Sequence, residues 1–361
     1  MNSPESPLLY ERVKDALRTE ILSGGISPGD SLPSERILGE RFGVSRITAK
    51  RAVADLIQEG LVERLPHRKG AFVRRKDVRA EQPRLIAVAI DDVRDAFGSR
   101  MLRGIEDYLW DRRIHTLICN ADRDFAKVEE YFESLLSSDV AGVIFAPVID
   151  EGYGERNRKL VSLLEKASIC YTLVDRYIPG LLANYAVANH EESSRILVKL
   201  LLERGFRRIV LVRGLECTSM DERAAGFRNA FAESGIALDE RLVARINDNK
   251  LDERGGEAAR LEEFFRAERD FDCVYALNDR LYQAAAAALA ATSECRKGEV
   301  PLVTHSEVEK SAIPGVAGLP HFVEPSYEMG WAAAKILVEY IGDPGKAIVQ
   351  KVLKSRIVPG A

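Results

Sequence analysis

Apolar positions recur at helical spacing over residues 10–22, where Val13, Leu17, Ile21 and Leu22 fall on one face; that pattern predicts an amphipathic helix. Gly24-Gly25 ends it, and Ser27-Pro28-Gly29-Asp30 reads as a turn. Ser34 is placed to cap a second helix over 35–42, and Gly43 closes that helix in a tight turn. Ser45 then caps a third helix over 46–59, with Ala49, Val53, Leu56 and Ile57 inward. Two short strands, 61–65 and 70–73, flank a polar tip of Pro66, His67, Arg68 and Lys69. Helix, helix, turn, helix and hairpin in that order make a winged helix-turn-helix. Residues 74–84 are charged and lack apolar periodicity, as a linker would.

From Leu85 the period changes. Leu85-Ile86-Ala87-Val88-Ala89-Ile90 is a continuous apolar run, as in a parallel strand buried on both faces. A helix through Met101 and Ile105 follows, and strand and helix then alternate, with strands at 116–119, 142–145 and 169–174. After the turn Tyr177-Ile178-Pro179-Gly180 a second set is expected, with strands at 185–187, 209–212, 242–246, 273–277 and 301–304. Repeated βα units build parallel sheets with flanking helices. The predicted fold is therefore α/β, an N-terminal winged helix-turn-helix joined to a two-lobed parallel-sheet domain. The expected boundaries are 1–75 for the head, 76–84 for the linker and 85–361 for the body. Lobe 1 takes about 85–180 and 321–343, and lobe 2 about 181–320 and 344–361.

Charge is divided between these parts. Residues 1–76 carry 14 Lys+Arg against 10 Asp+Glu, and the remainder carries 38 against 46. A basic head on an acidic body fits a head that meets a polyanion. The five cysteines, Cys119, Cys170, Cys217, Cys273 and Cys295, are scattered and form no CxxC pair. That spacing argues against a zinc site and for reduced thiols in the cytoplasm. No apolar run reaches the roughly 20 residues that cross a bilayer, so no membrane partner is expected. No Gly-rich phosphate loop, GxSxG elbow or HExxH pair stands in the chain, and Ser306 beside His305 is not a nucleophile–base arrangement. An enzyme is not expected, and neither a cofactor nor a metal is called for.

The third helix carries the chemistry of the head. Arg46, Thr48, Lys50 and Arg51 present donors and a methyl on its start and outer face. Arg or Lys can donate to guanine O6 and N7, and Thr can contact a thymine methyl. Backbone amides at the helix start, near Ser45, suit a phosphate. The wing tip His67-Arg68-Lys69 can reach the backbone or minor groove. The stretch Leu9 to Val73, with "PGDSLPSER" and "GVSRITAKRAV", closely resembles the GntR-type winged helix-turn-helix. The resemblance implies that Arg36, Ser45, Arg46, Thr48 and Lys50 occupy DNA-contacting positions, with Lys50 where the family often has Arg.

The body resembles the effector domain of LacI/GalR-type repressors, itself similar to periplasmic sugar-binding proteins. The segments that carry this are "VAGVIFAPV", "YTLVDRYIPG", "RGFRRIVLVRG", "ERAAGFRNAF", "YALNDRLYQAAAAAL" and "VEPSYEMGWAAAKIL". A GntR-type head on such a body is the pairing found in arabinose-responsive repressors, although the helical hinge of ordinary LacI-type proteins is not evident at 74–84. The resemblance implies a pocket of Asp95, Phe97, Asp175, Arg176, Asp221, Asn278, His305, Ser306 and Glu324, a homodimer, and operator DNA as partner. Asp221, Ser306 and Glu324 depart from the residues usual there. With Asp95, Asp175, Asp221 and Glu324 set against one sure cation, Arg176, the expected effector is neutral or cationic, a neutral sugar first. A body that only dimerises, or that takes a ligand other than a sugar, is the alternative.

Overall fold

The computed structural model describes residues 9–22, 24–27, 29–64, 70–73, 85–94, 96–251, 256–293, 300–305 and 321–358. The chain divides into two compact units, Met1–Pro83 and Arg84–Ala361. The expected linker, and the tip residues His67, Arg68 and Lys69, lie outside the described residues.

The head holds α1 (Leu9–Leu22), α2 (Glu35–Phe42), α3 (Arg46–Gln58) and the antiparallel pair β1 (Val62–Glu63) and β2 (Phe72–Val73). Its core is the set the apolar spacing selects: Val13 and Leu17 of α1, Leu38 of α2, and Ala49, Ala52, Val53 and Leu56 of α3. The Ser34 side chain accepts from the Ile37 amide to cap α2. Gly43 then takes φ +63, the left-handed conformation, and donates its N–H to the Gly39 carbonyl. A side chain is disfavoured at that φ, so glycine sets the short turn between α2 and α3.

The body contains two parallel sheets. The first has six strands in the order β13-β7-β6-β5-β3-β4: β3 (Leu85–Ile90), β4 (His115–Asn120), β5 (Val140–Phe145), β6 (Cys170–Val174), β7 (Tyr185–Ala188) and β13 (Gln350–Leu353). One of its faces is covered by α4 (Ala96–Trp110) and α11 (Ser326–Gly342), the other by α5 (Phe125–Leu136) and α6 (Tyr153–Lys166). The second has four strands in the order β11-β10-β8-β9: β8 (Ile209–Arg213), β9 (Val243–Arg245), β10 (Cys273–Ala276) and β11 (Leu302–Thr304). It packs with α7 (His190–Glu203), α8 (Thr218–Glu233), α9 (Glu257–Ala267) and α10 (Asp279–Ala291). A separate antiparallel pair, β12 (His321–Val323) with β14 (Arg356–Val358), lies on the second lobe, where Phe322 and Ile357 join its core.

The lobe assignment differs from the expected one at three places. Residues 185–187 were expected to open lobe 2, yet β7 pairs with β6 in the first sheet, Leu173 opposite Tyr185. The connection from β6 to β7 has no helix, and that gap read as a boundary. β13 also belongs to the first sheet, where buried Asn184 accepts from the Val349 amide at 2.8 Å. Residues 321–323, expected in lobe 1, belong with lobe 2. The chain therefore passes between lobes three times, after β7, after β12 and after β13.

Glycines fix the closest helix crossing. A Cβ on Gly104 of α4 would lie 2.0 Å from the Tyr327 carbonyl oxygen, and one on Gly330 of α11 would lie 2.0 Å from that of Met101. The two backbones touch there, which locks the helices on the outer face of the first sheet. Among the described residues, no helix is long and apolar enough to cross a membrane.

Candidate functional sites

In the head, the Ser45 side chain caps α3, accepting from the Thr48 amide at 3.1 Å and lying 2.8 Å from the Thr48 hydroxyl. Arg46 and Lys50 stand exposed along the outer face, and the Arg46 guanidinium is 4.0 Å from Glu35. Arg51 stacks over the Tyr10 ring at 4.0 Å, which steadies the face where α1 meets α3. Arg36, on exposed α2, pairs with Glu40 one turn on at 2.6 Å. Arg64 was missed by the sequence reading. It follows β1 and reaches Glu35 at 3.4 Å, placing a further cation near Arg46. Exposed ion pairs of this kind contribute little to stability. Their arginines can therefore change partner cheaply.

In the body, the strongest constellation sits at the carboxyl end of β6. Asp175 takes φ +67, a left-handed conformation tolerated by Asp. Its neighbour Arg176 is buried and donates from Nε to Asp175 and from Nη2 to Asp91 beyond β3, each at 2.8 Å. Burial disfavours the Arg176 cation, but Asp91 and Asp175 outweigh it and hold the guanidinium firmly protonated. Its Nη1 and the Asp91 Oδ1 have no hydrogen-bond partner, although both are buried. A donor and an acceptor are thus left over at the carboxyl end of the first sheet, and each such group is costly unless something fills it.

The lobes meet around this point. Thr218 accepts from the Tyr177 amide, the Tyr177 hydroxyl donates to Glu222 at 2.7 Å, and Asn249 donates to the Ile149 carbonyl at 2.8 Å. A cavity of about 770 Å³ opens between them, lined by Asp150 to Glu155 after β5, Gly214 to Glu216 after β8, and Arg245 to Asn247 at β9. Of the expected pocket residues that are described, only Asp221 lines it. The others lie outside its lining. Phe97 packs, half-buried, on the first-lobe core. Asn278 caps α10 and donates to Asp248, which is fully buried. His305 is fully buried between Ser193 and Tyr275, each at 2.9 Å. Asp95 and Ser306 lie outside the described residues. Asp150, Arg245 and Asn247 were missed, although each follows or ends a strand at the carboxyl edge where such folds hold ligands.

Two lobes of parallel sheet, three crossings and a cleft at the strand ends agree with a match of residues 86–347 to the family model described as periplasmic binding protein domain. The chain belongs to that family. Residues 9–73 match a second model, bacterial regulatory proteins of the gntR family. The chain is 26% identical over 263 residues to the HTH-type transcriptional regulator EndR of Paenibacillus polymyxa, covering 71% of this chain and 73% of that one. It is 21% identical over 230 residues to the arabinose metabolism transcriptional repressor of Geobacillus stearothermophilus, covering 63% of each. Among solved structures, the transcriptional regulator CelR in complex with cellobiose superposes with a TM-score of 0.65 at 19% identity, over 98% of both chains.

Within this periplasmic-binding-protein body the charge balance differs from the sequence count. Asp221 has Arg213 at 2.6 Å, and Glu324 has Arg223 at 2.5 Å, so the acids set against Arg176 alone have further arginines that only the fold reveals. Burial pushes the Glu324 carboxyl up, but Arg223 and then His190 outweigh it and hold it well below the usual carboxylate value. His190, His305 and Glu324 bring three potential ligand atoms within 4.8 Å of one another. Arg223 already supplies the cation there, touching Glu324 and the His190 Nδ1 at 3.2 Å, while both nitrogens of His305 are engaged. A dication does not fit that group.

Proposed function

We propose that this chain is a sequence-specific DNA-binding transcriptional repressor whose hold on its operator is set by a neutral small molecule, a sugar, bound between the two lobes of the body. The observation that carries the reading is the union in one chain of a gntR-type head over 9–73 and a periplasmic-binding-protein body over 86–347. Ser45, Arg46, Thr48, Lys50 and Arg51, with Arg36 from α2, serve the major groove, and the tip His67, Arg68 and Lys69 serves the flanking backbone. Arg176, Asp175, Asp221, Asn278 and Glu324 serve the effector, with Asp91 and the walls of the 770 Å³ cavity. The free Arg176 donor and Asp91 acceptor suit a hydroxyl, which both donates and accepts. Asp95, Phe97 and Ser306 belong to the same proposal through the family resemblance. The repressor works in the cytoplasm as a homodimer, each head on one half-site of a pseudo-palindrome. Trp110, Leu117 and Ile118, all exposed on α4 and the edge strand β4, are an apolar surface for the second copy. Effector binding acts by favouring one lobe closure over another, which is allostery only if the two closures differ in DNA affinity.

A thermal-shift screen of the full-length protein against neutral sugars, sugar acids, sugar phosphates and nucleosides tests the effector half. A rise with one neutral sugar, abolished or weakened at least about tenfold in affinity by Asp175→Ala while DNA binding is kept, is the expected result. A response confined to sugar phosphates would remove the neutral-ligand reading, and a flat screen with an intact dimer would favour a body that only dimerises.

A further inference from the structure

The most exposed large apolar side chain among the described residues is Ile47, 81% open to solvent. Apolar residues exposed singly are ordinary on protein surfaces, but the setting of this one is not. It is the second residue of α3, directly after Arg46. It shares the outer face with Lys50, Arg51 and Ala54, while Ala49, Ala52, Val53 and Leu56 take the buried side. The neighbouring Thr48 is half-buried, and its hydroxyl is engaged by the Ser45 cap at 2.8 Å, so it is turned back toward the helix start. Ile47 is left as the outward apolar group of the first turn. A β-branched side chain in a helix keeps one strongly preferred rotamer, so it is held ready for a contact at little entropic cost.

The major groove presents hydrogen-bonding atoms on every base pair and one apolar group, the thymine C5-methyl. We propose that Ile47 is a specificity-determining residue that packs on a thymine methyl in each half-site, beside the bases met by Arg46 and Lys50. The proposal rests on the DNA-binding reading of the head. The charges that flank Ile47 favour DNA over an apolar protein surface, because Arg46, Lys50 and Arg51 would be stripped of water without partners in the latter.

The test begins by enriching random duplexes on the full-length protein to define the half-site. Each thymine of that site is then replaced by deoxyuridine, which keeps the base pair and removes only the methyl. One thymine per half-site is expected to weaken wild-type binding about fourfold on replacement, the worth of one buried methyl. Ile47→Ala is expected to bind the thymine duplex about fourfold more weakly per half-site than wild type and to be indifferent to the replacement. Unchanged thermal melting shows that the variant is folded. A wild type with no sensitive thymine, or sensitivity retained in Ile47→Ala, overturns the assignment. Retention there together with loss in Thr48→Ser moves the methyl contact to Thr48. If no sequence is enriched, the DNA-reading function falls, and the role of Ile47 falls with it.

Discussion

Arg46 and Arg176 are the same side chain in two environments. In the head, the Arg46 side chain is 77% exposed and its nearest carboxylate is 4.0 Å away. In the body, Arg176 is 5% exposed and grips two carboxylates at 2.8 Å. The first loses almost nothing by leaving Glu35 for a phosphate or a guanine, because a surface pair in water is worth little. The second cannot leave, because either carboxylate abandoned in the interior would carry an uncompensated charge. A surface that must engage and release a polyanion is built from charges held loosely. A cleft that must hold a fixed shape for a small molecule is built from charges that hold one another.

That contrast can be broken most forcefully at the lobe crossing. Glu324→Ala leaves Arg223 and His190 buried without their carboxylate. The body is expected to lose about 3–5 kcal/mol, lowering its melting temperature by roughly 10 °C, while the unfolding of the head stays put. Differential scanning calorimetry would show it, and a single unshifted transition would contradict the buried-pair account. Arg46→Ala is the counterpart in the head. It is expected to cost about 10- to 100-fold in preference for the operator over random DNA with no change in melting, and fluorescence anisotropy on both duplexes separates the two effects.

A finer contrast lies in pH. Burial first, and then Arg223, hold the His305 imidazole well below its ordinary value. The folded state therefore binds the proton less readily than the unfolded chain. The contribution of His305 is complete above the free-histidine range near pH 6.5 and is lost as the pH falls below it, at about 1 kcal/mol per further pH unit. Between pH 7.5 and 5 the body should melt progressively earlier, and His305→Gln should flatten that slope. An unaltered slope would place the proton uptake elsewhere. The smallest effect belongs to Arg36→Ala, whose pair with Glu40 is exposed on both sides. It should change stability by less than about 0.5 kcal/mol, so any weakening of DNA binding it causes is contact and not folding.

The head was legible in the sequence because its structure is local. Caps at Ser34 and Ser45, the turn at Gly43 and the apolar spacing each act within a few residues, and the helices form where those signals put them. The cleft was legible in outline only. The alternation of strand and helix gave the parallel sheets, but β7 joins β6 without an intervening helix, and β13 is claimed by the first sheet through a partner far back in the sequence. Asp91, Asp175 and Arg176 meet across 85 residues, and Arg223 and Glu324 across 101. Nothing in the spacing of a linear pattern marks such pairs. His305 shows the cost of that blindness: a polar residue after a strand looked like a ligand group, and the fold buries it between Ser193 and Tyr275.

The three passages of the chain between lobes have a consequence for the order in which the protein can be made. The head closes its core once Val73 has been synthesised, because β2 completes it. The first sheet must wait for α11 to cover one face and for Gln350–Leu353 to supply its last strand, and the β12–β14 pair forms only with Arg356–Val358. Folding from a ribosome that releases about 5–20 residues per second would thus present a finished DNA-binding head many seconds before either lobe is whole. A transcript cut short anywhere in that interval would yield a head with no control over it.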